Sequence, residues 1–463
     1  EESYGGVGPR IHRRSAYPGK VNRDVQHGSS TRLDQYVDRY AARTRGMTAS
    51  EIRALFSVAS RPEVVSLAGG MPNISGLPLD VVGDALGDLV QEQGTVAMQY
   101  GSGQGVPELR EQICSVMALE GIEAHPDDVV VTVGSQQAVD LVTRIFCDPG
   151  DVVICEAPSY VGALGVFRAY ECDIVHAEMD ADGLVPEALR QAIMATKAAG
   201  KTIKFLYTIP NYHNPAGVSM SPERRPEILE ICREADILVL EDNPYGLLGF
   251  DREPYRALRA DESEGVIYLG SFSKTFAPGF RVGWALAPHA VREKLVLAQE
   301  SATLCPPQFS QMAVSAYLSR HDWQGQIKQF REMYRERRDA MVEALSDLMP
   351  AACQWNVPDG GFYVWLTLPP GIDAKLMLPR AVTARVAYVP GTAFFADGFG
   401  SSSMRLSYCY PDPDRIREGV RRLAGVLEAE MELRETFGAV TDPTGGRGLP
   451  ARSDYESPST DLT

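Results

Sequence analysis

The sequence contains no C-x-x-C pair, no H-E-x-x-H and no other short spacing of metal-ligating side chains, and its histidines number only seven. Eight cysteines, at 114, 147, 155, 172, 232, 305, 353 and 409, are scattered, several in apolar stretches where a thiol behaves as a small hydrophobe. Neither a structural metal nor a disulfide framework is expected. Long hydrophobic runs are missing too: none approaches the ~18 apolar residues of a membrane-spanning helix. The N-terminal stretch lacks the charged, apolar and cleavage-site regions of a secretory signal. The expectation is a cytoplasmic protein with no membrane partner. Positive charge is in deficit, with 45 Lys and Arg against 61 Asp and Glu and a formal net charge of −16. Such a surface repels phosphate backbones, so no nucleic-acid partner is expected. A local basic excess near Arg13-Arg14 has no helical period and reads as a solvated arm.

What is present is an ordinary globular balance, 44% hydrophobic and 23% charged, over 463 residues, a length that suggests two or three domains. Residues 1–45 read as a polar flexible arm and 438–463 as a flexible tail. Between them, short β-branched runs alternate with amphipathic stretches. Strands are expected at 129–133 (VVVTV), 152–155, 203–208 (IKFLYT), 237–240, 266–269 and 282–287. Runs so apolar and unalternating suit strands buried on both faces, hence an α/β fold with a mostly parallel sheet between helix layers. Helices are expected at 135–146, 186–197, 222–234 and 310–317. A helix at 327–347, a strand at 361–368 and a helix at 413–430 suggest a separate C-terminal α/β lobe.

Polar residues gather after five of these strands: Ser135-Gln136-Gln137, Pro158-Ser159-Tyr160, the loop 211–217 (NYHNPAG), Glu241-Asp242-Asn243-Pro244-Tyr245 and Ser271-Phe272-Ser273-Lys274. Ligands of open α/β sheets sit outside the strands' carboxyl ends, so one ligand touched by all five loops accounts for the pattern. The Ser-Gln-Gln turn opens a helix and offers free N–H groups to an anion; Ser271, Ser273 and Arg281 add hydroxyls and a charge that forks onto two oxygens, as a phosphate requires. Helix caps and a surface Arg are the bland alternative. Lys274, just past a buried strand, becomes a carbonyl-capturing amine if desolvated. Asp242, ending another apolar strand, needs a cation, which a protonated pyridine nitrogen or a structural salt bridge would supply. Taken singly, Tyr160 and Tyr245 also read as core aromatics, Asn214 as a turn before Pro215, Tyr100 as part of a Gly-rich bend, and Arg405 as one half of an ion pair.

The constellation resembles the aspartate-aminotransferase-like (fold type I) pyridoxal-phosphate enzymes, closest to the class I/II branch that holds kynurenine/2-aminoadipate aminotransferases and the effector domains of cofactor-sensing regulators. The resemblance spans about residues 46–435 and rests on Leu67-Ala-Gly-Gly-Met-Pro-Asn73, Tyr100-Gly-Ser-Gly-Gln-Gly-Val-Pro-Glu-Leu-Arg110, Asn214-Pro-Ala-Gly217, Asp242-x-x-Tyr245, Ser271-Phe-Ser-Lys-Thr-Phe-Ala-Pro-Gly-Phe-Arg281 and Met404-Arg405-Leu-Ser. It implies a large domain (76–315) with a mostly parallel seven-stranded-type sheet, a small domain (316–437), and a segment (46–75) joining the latter. By resemblance, Lys274 would be the Schiff-base lysine and proton carrier, Asp242 would keep the pyridine nitrogen protonated, and Tyr160 would stack on the ring. Asn214 and Tyr245 would hydrogen-bond its phenolic oxygen. Ser135, Gln136, Gln137, Ser271, Ser273 and Arg281 would hold the phosphate of pyridoxal 5'-phosphate, joined by Tyr100 from the neighbouring subunit of a homodimer. Arg405 would grip the substrate carboxylate, with Gly70 and Asn214 alongside, and Arg53 would reach a distal carboxylate, though it reads equally as an exposed helix arginine. Two departures fall in one loop: His213 where Gln is usual, and Ala216 where a hydroxyl is common.

The activity so implied moves an amino group between an L-amino acid (aromatic, aliphatic or 2-aminoadipate-like) and a 2-oxo acid such as 2-oxoglutarate. The alternative is another reaction of the same cofactor, β-elimination, decarboxylation or oxidation. A cofactor-binding regulator would need a winged-helix domain of about 60–70 residues ahead of the body, going by how the resembling regulators are built. Only 45 irregular residues stand there, so the enzyme reading is preferred.

Overall fold

Residues 34, 36–47 and 61–437 of a computed structural model are described. They fall into two units that divide between Ala42 and Arg43. In the first, Asp34 Oδ1 accepts from the backbone N–H of Tyr36 at 2.9 Å and from the Tyr40 hydroxyl at 3.3 Å. Everything below concerns the second unit.

Its first strand, β1 (Val65–Ser66), finds its partner late in the chain. An eight-stranded sheet follows: β2 (Val129–Val133), β3 (Val152–Ala157), β4 (Asp173–Asp180), β5 (Gly183–Leu184), β6 (Ile203–Thr208), β7 (Leu238–Asp242), β8 (Val266–Ser271) and β9 (Val282–Leu286), in the order β2-β9-β8-β7-β6-β3-β4-β5. Neighbours from β8 to β4 pair in parallel, whereas β9 runs antiparallel to both β8 and β2. The two-residue β5 only closes a hairpin on β4. Strands β2, β8, β7, β6, β3 and β4 therefore all end on one edge. The remaining strands are β10 (Gln354–Trp355), β11 (Tyr363–Thr367), β12 (Val386–Ala387), β13 (Val389–Pro390) and β14 (Ser403–Ser407). They form a second sheet, β10-β11-β14-β13, while β12 pairs in parallel with β1 through Val65↔Val386.

The unbroken apolar runs are explained by burial of both sheet faces. Side chains of a strand alternate between faces. Val130, Val153, Phe205, Leu240 and Ile267 join a core beneath the helices Gly134–Phe146, Val161–Ala169 and His289–Thr303. Their neighbours Ile154, Leu206, Val239 and Val266 join the opposite core, under Pro186–Ala198 and Arg224–Ala235. The six expected strands are all found, with 152–155 continuing to Ala157 and 266–269 to Ser271. Strand β4 escapes the sequence reading because its exposed Asp173, Glu178 and Asp180 break the apolar run. The antiparallel sense of β9 is equally unmarked, since burial selects side chains and is indifferent to strand direction. The helix expected from 222 starts at Arg224, and the one expected at 310–317 runs Gln308–Arg320. Among the described residues no helix is long and apolar enough to cross a membrane.

A buried polar chain ties the carboxyl-edge loops together. Glu120, 2% exposed, accepts from the Tyr268 hydroxyl and from Asn243 Nδ2, both at 2.6 Å. Asn243 Oδ1 accepts from Asn211 Nδ2 at 3.0 Å, and Asn211 Oδ1 accepts from Arg225 Nη2 at 2.6 Å. Burial pushes the Glu120 carboxyl up to about 7, against two donors that favour its ionised form. The folded chain therefore holds a proton here that the unfolded chain has already lost. The stability it contributes is complete below pH ~4.5 and is lost as pH rises through about 7. Glu120→Gln should flatten the decline of melting temperature between pH 4.5 and 7.5; an unchanged slope would mean that Glu120 is ionised in the folded protein.

Candidate active site

At the end of β2 the chain turns into a helix at Gly134, whose φ of +71° an L side chain rarely adopts. A β-carbon there would also overlap the Arg281 guanidinium, and one at Gly283 would run into the Gly134-Ser135 backbone. These two glycines let Arg281, itself left-handed at φ +55°, lie against the start of the helix. Among the described residues Arg281 is held only by long contacts: Nη1 at 3.4 Å from both Ser273 Oγ and the Pro278 carbonyl, Nη2 at 3.3 Å from the Val133 carbonyl. Ser271 Oγ accepts from the Ser273 N–H at 3.0 Å. The helix start carries no side-chain cap. Free amides, hydroxyls and a weakly satisfied guanidinium thus converge, and that donor set fits a phosphate.

The glutamines are engaged elsewhere. Gln137 Oε1 accepts from the Val133 N–H at 2.7 Å, clamping the strand-to-helix turn, and its Nε2 lies 3.4 Å from Thr303 Oγ1. Gln136 Nε2 donates to the Gly162 carbonyl at 2.9 Å, which links two helix starts beside Tyr160. Their side chains fix the cradle rather than present donors to it.

Asp242 closes β7 and is 3% exposed. The Tyr207 hydroxyl donates to Oδ2 at 2.8 Å, while Oδ1 is buried with no partner among the described residues. Burial raises this carboxyl to about 6. A buried carboxylate oxygen left without a donor costs free energy until one arrives, and a protonated ring nitrogen is such a donor. Burial and the charge of Asp242 push the neighbouring Tyr160 hydroxyl up to about 12, so the phenol stays neutral.

Lys274 donates to the Gly70 carbonyl at 2.8 Å. The residue as a whole keeps some exposure, but its amine end is enclosed, and this burial lowers it to about 8. A substantial fraction is then neutral and nucleophilic near physiological pH. Arg405, on β14 and 2% exposed, donates to Asn214 Oδ1 and to the Ala68 carbonyl, each at 2.8 Å, and its Nε is unpartnered. Its guanidinium lies 4.2 Å from the Tyr363 ring centroid and 5.1 Å from that of Phe394. Among the described residues no carboxylate pairs with it, so a carboxylate ligand would complete it.

His213 is fully buried. Its Nδ1 accepts from the Ala216 N–H at 3.2 Å and its Nε2 lies 2.9 Å from Glu156 Oε2. Glu156 also accepts from Thr208 Oγ1 at 2.7 Å and the Ile209 N–H at 2.9 Å. The pair braces the loop that carries Asn214. Tyr100 is 76% exposed and makes none of the site's hydrogen bonds within the chain. Arg53 lies outside the described residues. Sequence reasoning missed Tyr207, Tyr363 and Phe394, which sit in apolar stretches and read as core; it also missed the carbonyls of Ala68 and Gly70, which no side-chain pattern reveals.

The family model for aminotransferase class I and II matches residues 62–423. The chain is 42% identical over 400 residues to aromatic-amino-acid aminotransferase 1 of Thermococcus litoralis, covering 86% of this chain and 96% of that protein. It is 36% identical over 389 residues to the 2-aminoadipate transaminase of Thermus thermophilus, covering 83% and 95%. Among solved structures, the kynurenine aminotransferase of Pyrococcus horikoshii, in complex with PMP, KYN and KYA, superposes with a TM-score of 0.82 at 39% identity, covering 86% of this chain and 99% of that one. With the Gly134–Arg281 cradle, the unpartnered Asp242 oxygen and the desolvated Lys274 in one place, these likenesses settle that the chain belongs to the class I and II aminotransferases and is a pyridoxal-phosphate-dependent aminotransferase of fold type I.

Proposed function

We propose that the enzyme takes the amino group of an aromatic, aliphatic or 2-aminoadipate-like L-amino acid and delivers it to a 2-oxo acid such as 2-oxoglutarate. The observation that carries the reading is the meeting of three incomplete groups in one pocket: the Lys274 amine, Asp242 Oδ1 and the Arg405 guanidinium. Relatives named for aromatic amino acids and 2-aminoadipate, and a neighbour named for kynurenine, support the substrate range.

The amides at the start of Gly134–Phe146, together with Ser135, Ser271, Ser273 and Arg281, hold the phosphate. Asp242 would keep the ring nitrogen protonated, and Tyr160, Asn214 and Tyr245 would complete the ring's binding site. Bound there, pyridoxal phosphate supplies an electron sink that makes a substrate α-proton acidic. Lys274 would be the side chain that holds the cofactor, and its enclosed, readily neutral amine would be placed to accept a substrate proton and give it back. Arg405 exchanges its bonds to Asn214 and the Ala68 carbonyl for the substrate carboxylate, which fixes the scissile bond. A homodimer in which Tyr100 reaches the partner's phosphate is part of this proposal. Support comes from its exposure and from that of Met98, two residues away in the chain, at 70%.

Borohydride treatment of the yellow holoenzyme followed by peptide mapping should place the cofactor's mass on Lys274. Mixing the holoenzyme with single amino acids should bleach the visible band without release of ammonia; a label elsewhere, or ammonia release, would sink the reading. Because the amine is lowered to about 8, the rate at which apoenzyme captures pyridoxal phosphate should rise with pH up to about 8 and then level off, instead of climbing toward 10.5. Gly134→Ala, which combines a strained φ with a clash on Arg281, should weaken cofactor retention by roughly tenfold or more in ultrafiltration, equivalent to ~1.4 kcal/mol.

A further inference from the structure

Tyr363 lies on β11 of the second sheet, is 2% exposed, and meets both Tyr245 and Arg405. Its hydroxyl is 3.3 Å from that of Tyr245, and the two rings meet edge to face at 6.0 Å with an interplanar angle of 86°. The hydroxyl occupies the space where any side chain at position 70 would begin: a β-carbon on Gly70 would overlap it. A phenylalanine would fill the remaining volume and still face Arg405. What the hydroxyl adds is its contact with Tyr245, and Gly70 leaves room for it.

Proton accounting gives that contact a direction. A phenol has one hydrogen to donate. If Tyr245 spends its hydrogen on the cofactor's phenolic oxygen, the bond between the two tyrosines is made with the hydrogen of Tyr363. We propose that Tyr363 is a positioning residue whose hydroxyl donates to Tyr245 and thereby strengthens Tyr245 as a donor to the cofactor. This inference rests on the role given to Tyr245 above. Both phenols are buried and raised above their ordinary range by that burial, so both keep their hydrogens wherever the enzyme works. In a dry pocket, a donor that itself accepts a hydrogen bond is polarised and donates more strongly.

The consequence is read in the colour of the loaded enzyme. A donor to the phenolic oxygen draws negative charge from it, so the proton held beside that oxygen leaves at lower pH. Tyr245→Phe should therefore raise the midpoint of the pH-dependent colour change. Tyr363→Phe should raise it less, by about 0.3–0.5 pH unit, a fraction of one net hydrogen bond. Because the ring under Arg405 is retained, KM for the amino acid should stay within about twofold. In the double variant the midpoint should equal that of Tyr245→Phe alone, since the relay has lost its end. If Tyr245→Phe shifts the midpoint and Tyr363→Phe does not, or if the two shifts add, the relay is wrong while the role of Tyr245 stands. If Tyr245→Phe leaves the midpoint in place, the contact between Tyr245 and the cofactor fails, and the relay with it.

Discussion

Charged groups held away from water without a charged partner organise this molecule. Taking an ion out of water costs several kcal/mol unless something inside replaces the lost hydration. Glu156 meets that demand locally through Thr208, the Ile209 amide and His213. Asp242 and Arg405 do not: one has an orphaned oxygen, the other an orphaned Nε and only neutral acceptors. The fold tolerates these deficits because the surrounding cores and the Glu120–Asn243–Asn211–Arg225 chain hold the loops rigidly. The deficits mark where a ligand with a ring cation and a carboxylate belongs, and they favour binding over further stability of the empty protein.

Much of the large sheet was legible because two-sided burial leaves a loud trace. Runs such as Ile203–Thr208 and Val266–Ser271 are apolar on both faces. The position of the site was legible for a related reason: at a carboxyl edge, where hydrophobic pressure ends, residues such as Asp242 and Lys274 stand out against what precedes them. What stayed hidden depends on three-dimensional pairing. Tyr207 looks like any core aromatic until β6 is laid beside β7 and its hydroxyl meets Asp242. Tyr363 is hidden among Phe362, Val364 and Trp365. Gln137 was misleading, since its amide has the right chemistry for an anion but is consumed by the Val133 N–H.

The second sheet completes the pocket instead of merely closing it. Strand β14 brings Arg405, β11 brings Tyr363, and the segment after β1 contributes the carbonyls of Ala68 and Gly70. Register makes the set coherent: Tyr363 pairs with Ser407 and Trp365 with Arg405, so one hairpin-like ladder delivers both the cation and the ring that faces it. His213 shows the same economy on the other side. Its Nδ1 accepts from the Ala216 amide and its Nε2 lies within ion-pair distance of Glu156, beside the turn bearing Asn214.

The reversed strand β9 has a geometric effect on what the pocket can accept. Since it enters the sheet at the edge from which β8 leaves, the chain passes from Lys274 to Arg281 in a single short connection along that edge. Lys274 and Arg281, proposed above as anchor and anion clamp, are thus two marks on one short strip of backbone, and the gap between them would act as a built-in gauge. A molecule whose reactive carbonyl and charged group match that interval is seated at both ends, whereas a longer or shorter one can satisfy only one mark at a time.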